Sequence, residues 1–233
     1  MLFFNIFHTD DLTFKEVRVN LFAEDTSMNI ICIRERVPND IFTALELYSI
    51  LTDYANKPQK IAAMLRNSEI IQIRRGLYTF PAPLRHAILS NGLLANQIYG
   101  PSYVSEDYAL SYYGLIPEAP MVTTSIAMGR SRTFSTPLGT FSYRYSRSQA
   151  YSIGITIAGE ETKRFFIATP EKALFDKILF DKRYEGGDPE EYLCNDLRIE
   201  PTALKRMRRD AWLELKPFMT GHLKATADYL LAI

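Results

Sequence analysis

Cysteine is nearly absent from this chain: Cys32 and Cys194 stand far apart, with no CxxC and no neighbouring histidine. That pattern argues against a disulfide scaffold or a cysteine-based zinc site and suits a reducing interior. Net charge is absent too, with 27 basic and 27 acidic side chains, so no overall field draws the protein to a polyanion. No apolar run approaches the roughly 18 residues that span a bilayer. Met1–His8 is apolar but short, lacks a basic start and runs into Asp10 and Asp11, unlike a secretory signal. A cytoplasmic location is expected. Glycine-rich phosphate loops, internal repeats and low-complexity tracts are missing, and His8, His86 and His222 are dispersed. No cofactor, no metal and no catalytic constellation are therefore expected.

What is present is ample core-forming material: 233 residues, 47% apolar and 23% charged, enough for one large domain or two modest ones. The charge is unevenly spread. Residues 57–159 hold ten bases and four acids, and from Ala119 to Gly159 there is no acid at all. The first 27 residues are polar and weakly patterned. They read as an extension over residues 1–37, with Met28 as the natural start.

In "NDIFTALELYSILTDYA" Thr43 can cap a helix whose apolar face is Leu45, Leu47, Tyr48, Ile50 and Leu51. A second helix starts at Asn56 or Pro58, with Ile61, Ala62, Met64 and Leu65 inward. "IIQIRRGLYTF" alternates like a half-buried strand, turns at Gly76 and returns. Two short helices and a small basic hairpin describe a winged helix-turn-helix over residues 38–83. Its first helix belongs upstream, near 29–40, where Pro38 interrupts the pattern.

A helix from about Leu84 to Tyr99 and another after Ser105 are expected next. "MVTTSIAM", "RTFST", "TFSYRYS", "IGITIA" and "KRFFIA" then read as a meander of antiparallel strands. "TPEKALFDKILF" is a helix capped by Thr169, with Leu174, Phe175, Ile178 and Leu179 inward, and the tail from Pro189 is helical. The fold class is α+β. A winged helix-turn-helix is followed over residues 84–233 by a domain with an antiparallel sheet flanked by helices.

Six cations, Lys57, Lys60, Arg66, Arg74 and Arg75 in the first unit and Arg85 just past it, fall together, with Glu69 as the one acid among them. A helix fits a major groove about 12 Å wide, and a wing can touch flanking phosphates. If all six met phosphate, affinity would fall with salt at a log–log slope of about −5. Gln59 and Asn67 are candidate base readers, since amides match adenine's edge. The bland alternative for each is a solvated helix face.

Arg130, Arg132, Arg144 and Arg147 are a possible second basic surface, although scattered charge paired with acids explains them as well. Lys172 and Asp176, four apart, read as a surface pair, and Glu171 as a helix-dipole partner. The tyrosines of "DYALSYYGL" read as core. Glu161 and Lys163 form a Glu-x-Lys, as in metal-dependent nucleases, but the upstream acid such a site needs is missing.

"IIQIRRGLYTF", "SYVSEDYALSYYGLIPEAP" and "FFIATPEKALFDKI", in that order, resemble the AbiEi family of antitoxin-like transcriptional regulators from bacterial abortive-infection systems of the type IV toxin–antitoxin kind. The likeness spans about residues 41 to 215, and the weak first helix and the extension depart from it. It implies an N-terminal winged helix that binds operator DNA and represses its own operon. It also implies a C-terminal domain that helps to neutralise a nucleotidyltransferase-like toxin, without a stable complex being required. Two copies on an inverted repeat are expected, because one small winged helix reads few base pairs. The alternative is a protein-interaction module that keeps the winged fold without touching DNA.

Overall fold

The computed structural model describes residues 29–147, 149–160 and 163–233. Most of the expected N-terminal extension, Met28 included, lies outside the described residues. Asn29 opens helix α1, Ile30–Arg36, by accepting the Cys32 N–H on its side chain, and the helix ends at Val37, one residue before Pro38. A pre-proline residue avoids the helical region, so the interruption in the pattern marks a boundary between elements.

Strand β1, Ile41–Thr43, follows and leads directly into α2, Ala44–Ile50. Thr43 and Glu46 form a reciprocal capping box there, each side chain bonding the other residue's backbone N–H. Helix α3, Lys57–Arg66, is capped by the Asn56 side chain on Gln59 N. Strands β2, Ile71–Arg74, and β3, Leu77–Thr79, close on Gly76, whose φ of +79° suits glycine. The small sheet has the order β1-β3-β2 and is antiparallel throughout.

Its core joins Ile33 and Val37 to Phe42, Leu47, Leu51, Ile61, Met64 and Phe80. The unit therefore takes in α1, which a boundary at residue 38 would leave out. Leu45, expected on the apolar face of α2, is 76% exposed, whereas Leu47 and Leu51 are buried in this core. Ile73 and Leu77 instead join the larger core beside Leu94 and Ile98, so the hairpin packs against the second unit.

The expected helix from Leu84 to Tyr99 is shorter than the sequence suggests. Ala82–Leu84 form one tight 3-10 turn, and α4, Asn91–Ile98, begins only where Ser90 caps it. Pro81 and Pro83 withhold donors. Asp40 takes the His86 and Ala87 N–H groups at 3.0 and 3.1 Å, which holds this stretch out of a helix.

The second unit carries β4 (Ser102–Val104), α5 (Glu106–Tyr112), β5 (Val122–Ala127), β6 (Arg132–Thr136), β7 (Gly139–Tyr145), β8 (Ile155–Ala158) and β9 (Phe165–Ala168). Helix α6, Pro170–Phe180, comes next, capped by Thr169. The tail is α7 (Pro189–Glu191) running into a π-turn at Tyr192–Asp196, then α8 (Pro201–Leu204), α9 (Arg209–Leu215) and α10 (Gly221–Ala232). The fold is α+β, but the expected antiparallel meander is corrected to a mixed sheet of order β6-β7-β5-β4-β9-β8. β5 pairs with β7 in parallel from Val122↔Thr140 to Ala127↔Tyr145, and β4 meets β9 in parallel at Val104↔Ile167. The chain passes from β5 to the outer strand β6 and returns as β7 between them, so β5 pairs in parallel with the next strand but one. Glu171 to Ile178 are buried at every position, so α6 is enclosed on almost all sides, while Leu179 is exposed. Among the described residues no helix is long and apolar enough to cross a membrane.

Candidate nucleic-acid interface

The eight residues expected to meet DNA divide into those that face solvent and those tied inward. On α3, Gln59 and Arg66 lie two turns apart, so they share one helix face, and both are exposed. Arg66 makes no hydrogen bond or ion pair among the described residues. Arg75 stands exposed in the β2–β3 turn. Among the described residues these three side chains face solvent unengaged, whereas Asn67 and Arg74 are exposed too but hydrogen-bonded.

The others are partly committed. Lys57 is half-buried and its Nζ donates to the Tyr48 carbonyl at 2.8 Å, where it meets the C-terminal end of α2. The expectation that it points freely outward is corrected by that bond. Lys60 lies over the Tyr54 ring, 5.0 Å from its centroid. Asn67 ends α3 and its amide donates to Glu69 Oε1 at 3.3 Å. Arg74, at the end of β2, reaches the Gln97 carbonyl of α4 at 3.5 Å, so it faces the second unit. Arg85 Nε donates to the Phe80 carbonyl at 2.7 Å and holds the linker.

The four arginines of the possible second basic surface are not brought to one face. Arg132 stands directly opposite Tyr143 in the β6–β7 ladder, so it shares that residue's side of the sheet, while Arg144, next in the strand, projects to the other. Arg132 lies over the Tyr99 ring and Arg147 over Tyr145, whose hydroxyl accepts its Nε–H. Arg144 is paired with Glu106 at 2.9 Å and donates to the Phe180 carbonyl. Arg130 is exposed in the turn before β6.

Sequence reasoning missed the strongest concentration of buried charge. Lys172 and Asp176 do pair at 2.8 Å, but both side chains are only 1% exposed, so they are not a surface pair. Asp176 also accepts the Tyr103 hydroxyl at 3.0 Å and the Ser105 hydroxyl at 2.7 Å. Burial pushes its carboxyl pKa up, against the pull of the Lys172 ammonium. Ser105, expected to cap α5, spends its hydroxyl here and leaves that helix without a side-chain cap.

Beside it, Glu106 holds a left-handed φ of +52° and is buried, with Arg144 Nε 2.9 Å from Oε1. Burial, only partly offset by Arg144, pushes its pKa up to about 8. Lys177 bonds Asp107 and lies near Asp181, whose carboxyl is held well below its usual range chiefly by the Arg183 guanidinium. Glu171 accepts the Arg208 backbone N–H at 2.8 Å and ties α6 to the start of α9. This network cross-links β4, α5 and α6 with its charged pair Lys172–Asp176 closed off from water, which is the arrangement of a structural clasp; Tyr103 and Glu171, at its margins, reach a cavity wall. Its sequence signal was the alternation of acids and lysines in "EKALFDK". Glu161, the candidate nuclease carboxylate, lies outside the described residues.

No protein-family model matches this chain, and no curated protein matches it.

Proposed function

We propose that the chain is a DNA-binding transcriptional repressor that serves as the antitoxin of a bacterial abortive-infection system, as its resemblance to the AbiEi regulators implies. The carrying observation is that Gln59 and Arg66 share the solvent face of α3 while Arg75 tips the adjoining hairpin. The order over residues 30–79, helix, strand, helix, helix, strand, strand, supports a winged helix-turn-helix reading of this unit. It supports a reading in which α3 enters the major groove and the hairpin meets flanking phosphate. Arg66 and Arg75 would bind the backbone, Gln59 would read a base edge, and Lys60 and Arg74 would add charge from the sides. Lys57 and Arg85 would act from within, by fixing α3 and the linker, while Asn67, exposed at the end of α3, would be a second base reader.

Two copies on an inverted repeat would supply the specificity one small unit lacks. The second unit would carry the antidote function against a nucleotidyltransferase-like toxin in the cytoplasm, and no chemistry of its own is proposed for it. The test is a gel shift with the DNA immediately upstream of the protein's own gene. A shift competed by that DNA and not by unrelated DNA supports the reading, and no shift at low salt sinks it.

A second reading draws on the inward ties of Lys57 and Arg85, which leave a sparse cationic surface. In that reading the unit is a protein-interaction module, and it predicts a stable partner with no affinity for any promoter fragment.

A further inference from the structure

A cleft of about 470 Å³ lies where α4 crosses the open end of β4, β9 and β8. Its origin can be read from backbone bonding. β4 and β9 pair at Val104↔Ile167, and in a continued parallel ladder the Phe166 N–H would next meet the Ser102 carbonyl. Instead the Asn96 carboxamide stands between them: its oxygen accepts from Phe166 N at 2.6 Å and its nitrogen donates to Ser102 O at 3.4 Å. One side chain thus satisfies both strands while holding them apart, and the sheet opens into a hollow.

The walls are apolar. Ile157 and Phe166 are directly opposite in the β8–β9 ladder, so they share a face, yet they are 59% and 53% exposed. Leu93 and Ile155 line the same hollow, with Tyr103 and Tyr151. Among the described residues one charged group lines it, the exposed guanidinium of Arg164, and none of them supplies it with an acid partner. Volume, a mostly apolar lining and a charged anchor among a few polar groups are the marks of a small-molecule site.

We infer that this cleft binds a small apolar carboxylate, with its hydrocarbon or aromatic body against Ile157, Phe166 and Leu93 and its anionic head on Arg164. Arg164 supplies the complementary charge and the bidentate geometry that a carboxylate takes. A polyanion is a poorer occupant, because the cleft offers one cation and little polar surface. Helix α4 forms part of the wall, since its Gln97 lines the cleft and the Gln97 carbonyl receives Arg74 from the hairpin. Occupancy would therefore bear on the helix that the hairpin of the first unit touches through Arg74.

The experiment uses the full chain without DNA, so it stands or falls apart from the repressor reading. Octanoate and naphthoate are titrated by calorimetry against the neutral octanol and naphthamide. Saturable one-to-one binding of the anions is expected. Arg164→Gln should weaken the anions by roughly tenfold or more and leave the neutral compounds unchanged. Ile157→Glu, at an exposed position, should abolish both, and circular dichroism checks that the two variants stay folded. If Ile157→Glu does not fold, Phe166→Gln takes its place and should weaken every compound. Absence of saturable binding by either anion, or equal binding by wild type and Arg164→Gln, overturns the inference.

Discussion

The Lys172 ammonium and the Asp176 carboxylate meet at 2.8 Å with both side chains closed off from water. Each charge is tolerable there because of the other. Lys172→Met removes one and strands the carboxylate, so a loss of about 3–5 kcal/mol is expected. Lys172→Met with Asp176→Leu removes both charges and should recover part of that loss, though Tyr103 and Ser105 then lose their acceptor. Urea unfolding of the wild type, both single variants and the double variant measures the coupling. Additive losses would show that the pair is not coupled in the folded state.

Glu106 gives the fold a pH dependence of defined sign. Its ordinary pKa is 4.5 and its folded pKa about 8. Between those values the folded state binds more protons than the unfolded one. Its contribution to stability is fully present below about 4.5 and is lost as pH rises through about 8. Asp176, also raised, acts in the same sense. Glu106→Gln should flatten the decline across that window, and thermal unfolding at a series of pH values tests it. A decline of equal steepness in the variant would clear Glu106 of the effect.

Asp40 joins the two units through one carboxylate. It pairs with buried Arg34 at 2.9 Å and accepts the His86 and Ala87 N–H groups. Arg34 in turn lies over the Phe80 ring, 4.5 Å from its centroid. Asp40→Ala leaves a buried guanidinium without its counter-ion and frees the linker, so about 3 kcal/mol of destabilisation is expected. Hydrogen exchange at His86 and Ala87 should accelerate in the same variant. Unchanged protection at both amides would mean that the carboxylate does not hold the linker.

These contacts show why some of the molecule was legible in its sequence and some was not. Thr43, Asn56 and Thr169 were readable as caps because a cap is a local bond, closed within three residues. The stretch from Leu84 to Ser90 has helical periodicity, but Asp40, more than forty residues earlier, decides its conformation. The parallel partnership of β5 and β7 depends on how a hairpin folds back, which periodicity does not record. Lys172 and Asp176 have the spacing of a solvent-facing pair. Only the enclosure of α6 by its neighbours makes them a buried one. In the candidate interface, the clustering of cations was visible, but their directions were not. Lys57 and Arg85 turn toward carbonyls that lie nine and five residues away.

The repressor reading separates Arg66 and Arg75 from Arg85 in a way that charge counting does not. All three are cations of the same stretch of chain, yet Arg85 is engaged with Phe80 and the first two face solvent. Each phosphate contact contributes about 0.9 to the log–log salt slope of binding. With Lys60, Arg66, Arg74 and Arg75 as the available contacts, the slope for one unit should be near −3.6, shallower than the value of about −5 for all six cations. Arg66→Ala and Arg75→Ala should each lower its magnitude by about 0.9 and weaken binding to every sequence alike. Gln59→Ala should leave the slope unchanged and relax preference at one base position. Arg85→Ala should leave the slope unchanged while lowering the unfolding midpoint, because it releases the linker and not a phosphate. Fluorescence anisotropy over a salt series, with thermal unfolding of the same samples, distinguishes these outcomes. A salt slope that falls for Arg85→Ala and stays fixed for Arg66→Ala and Arg75→Ala would place the nucleic acid on another surface.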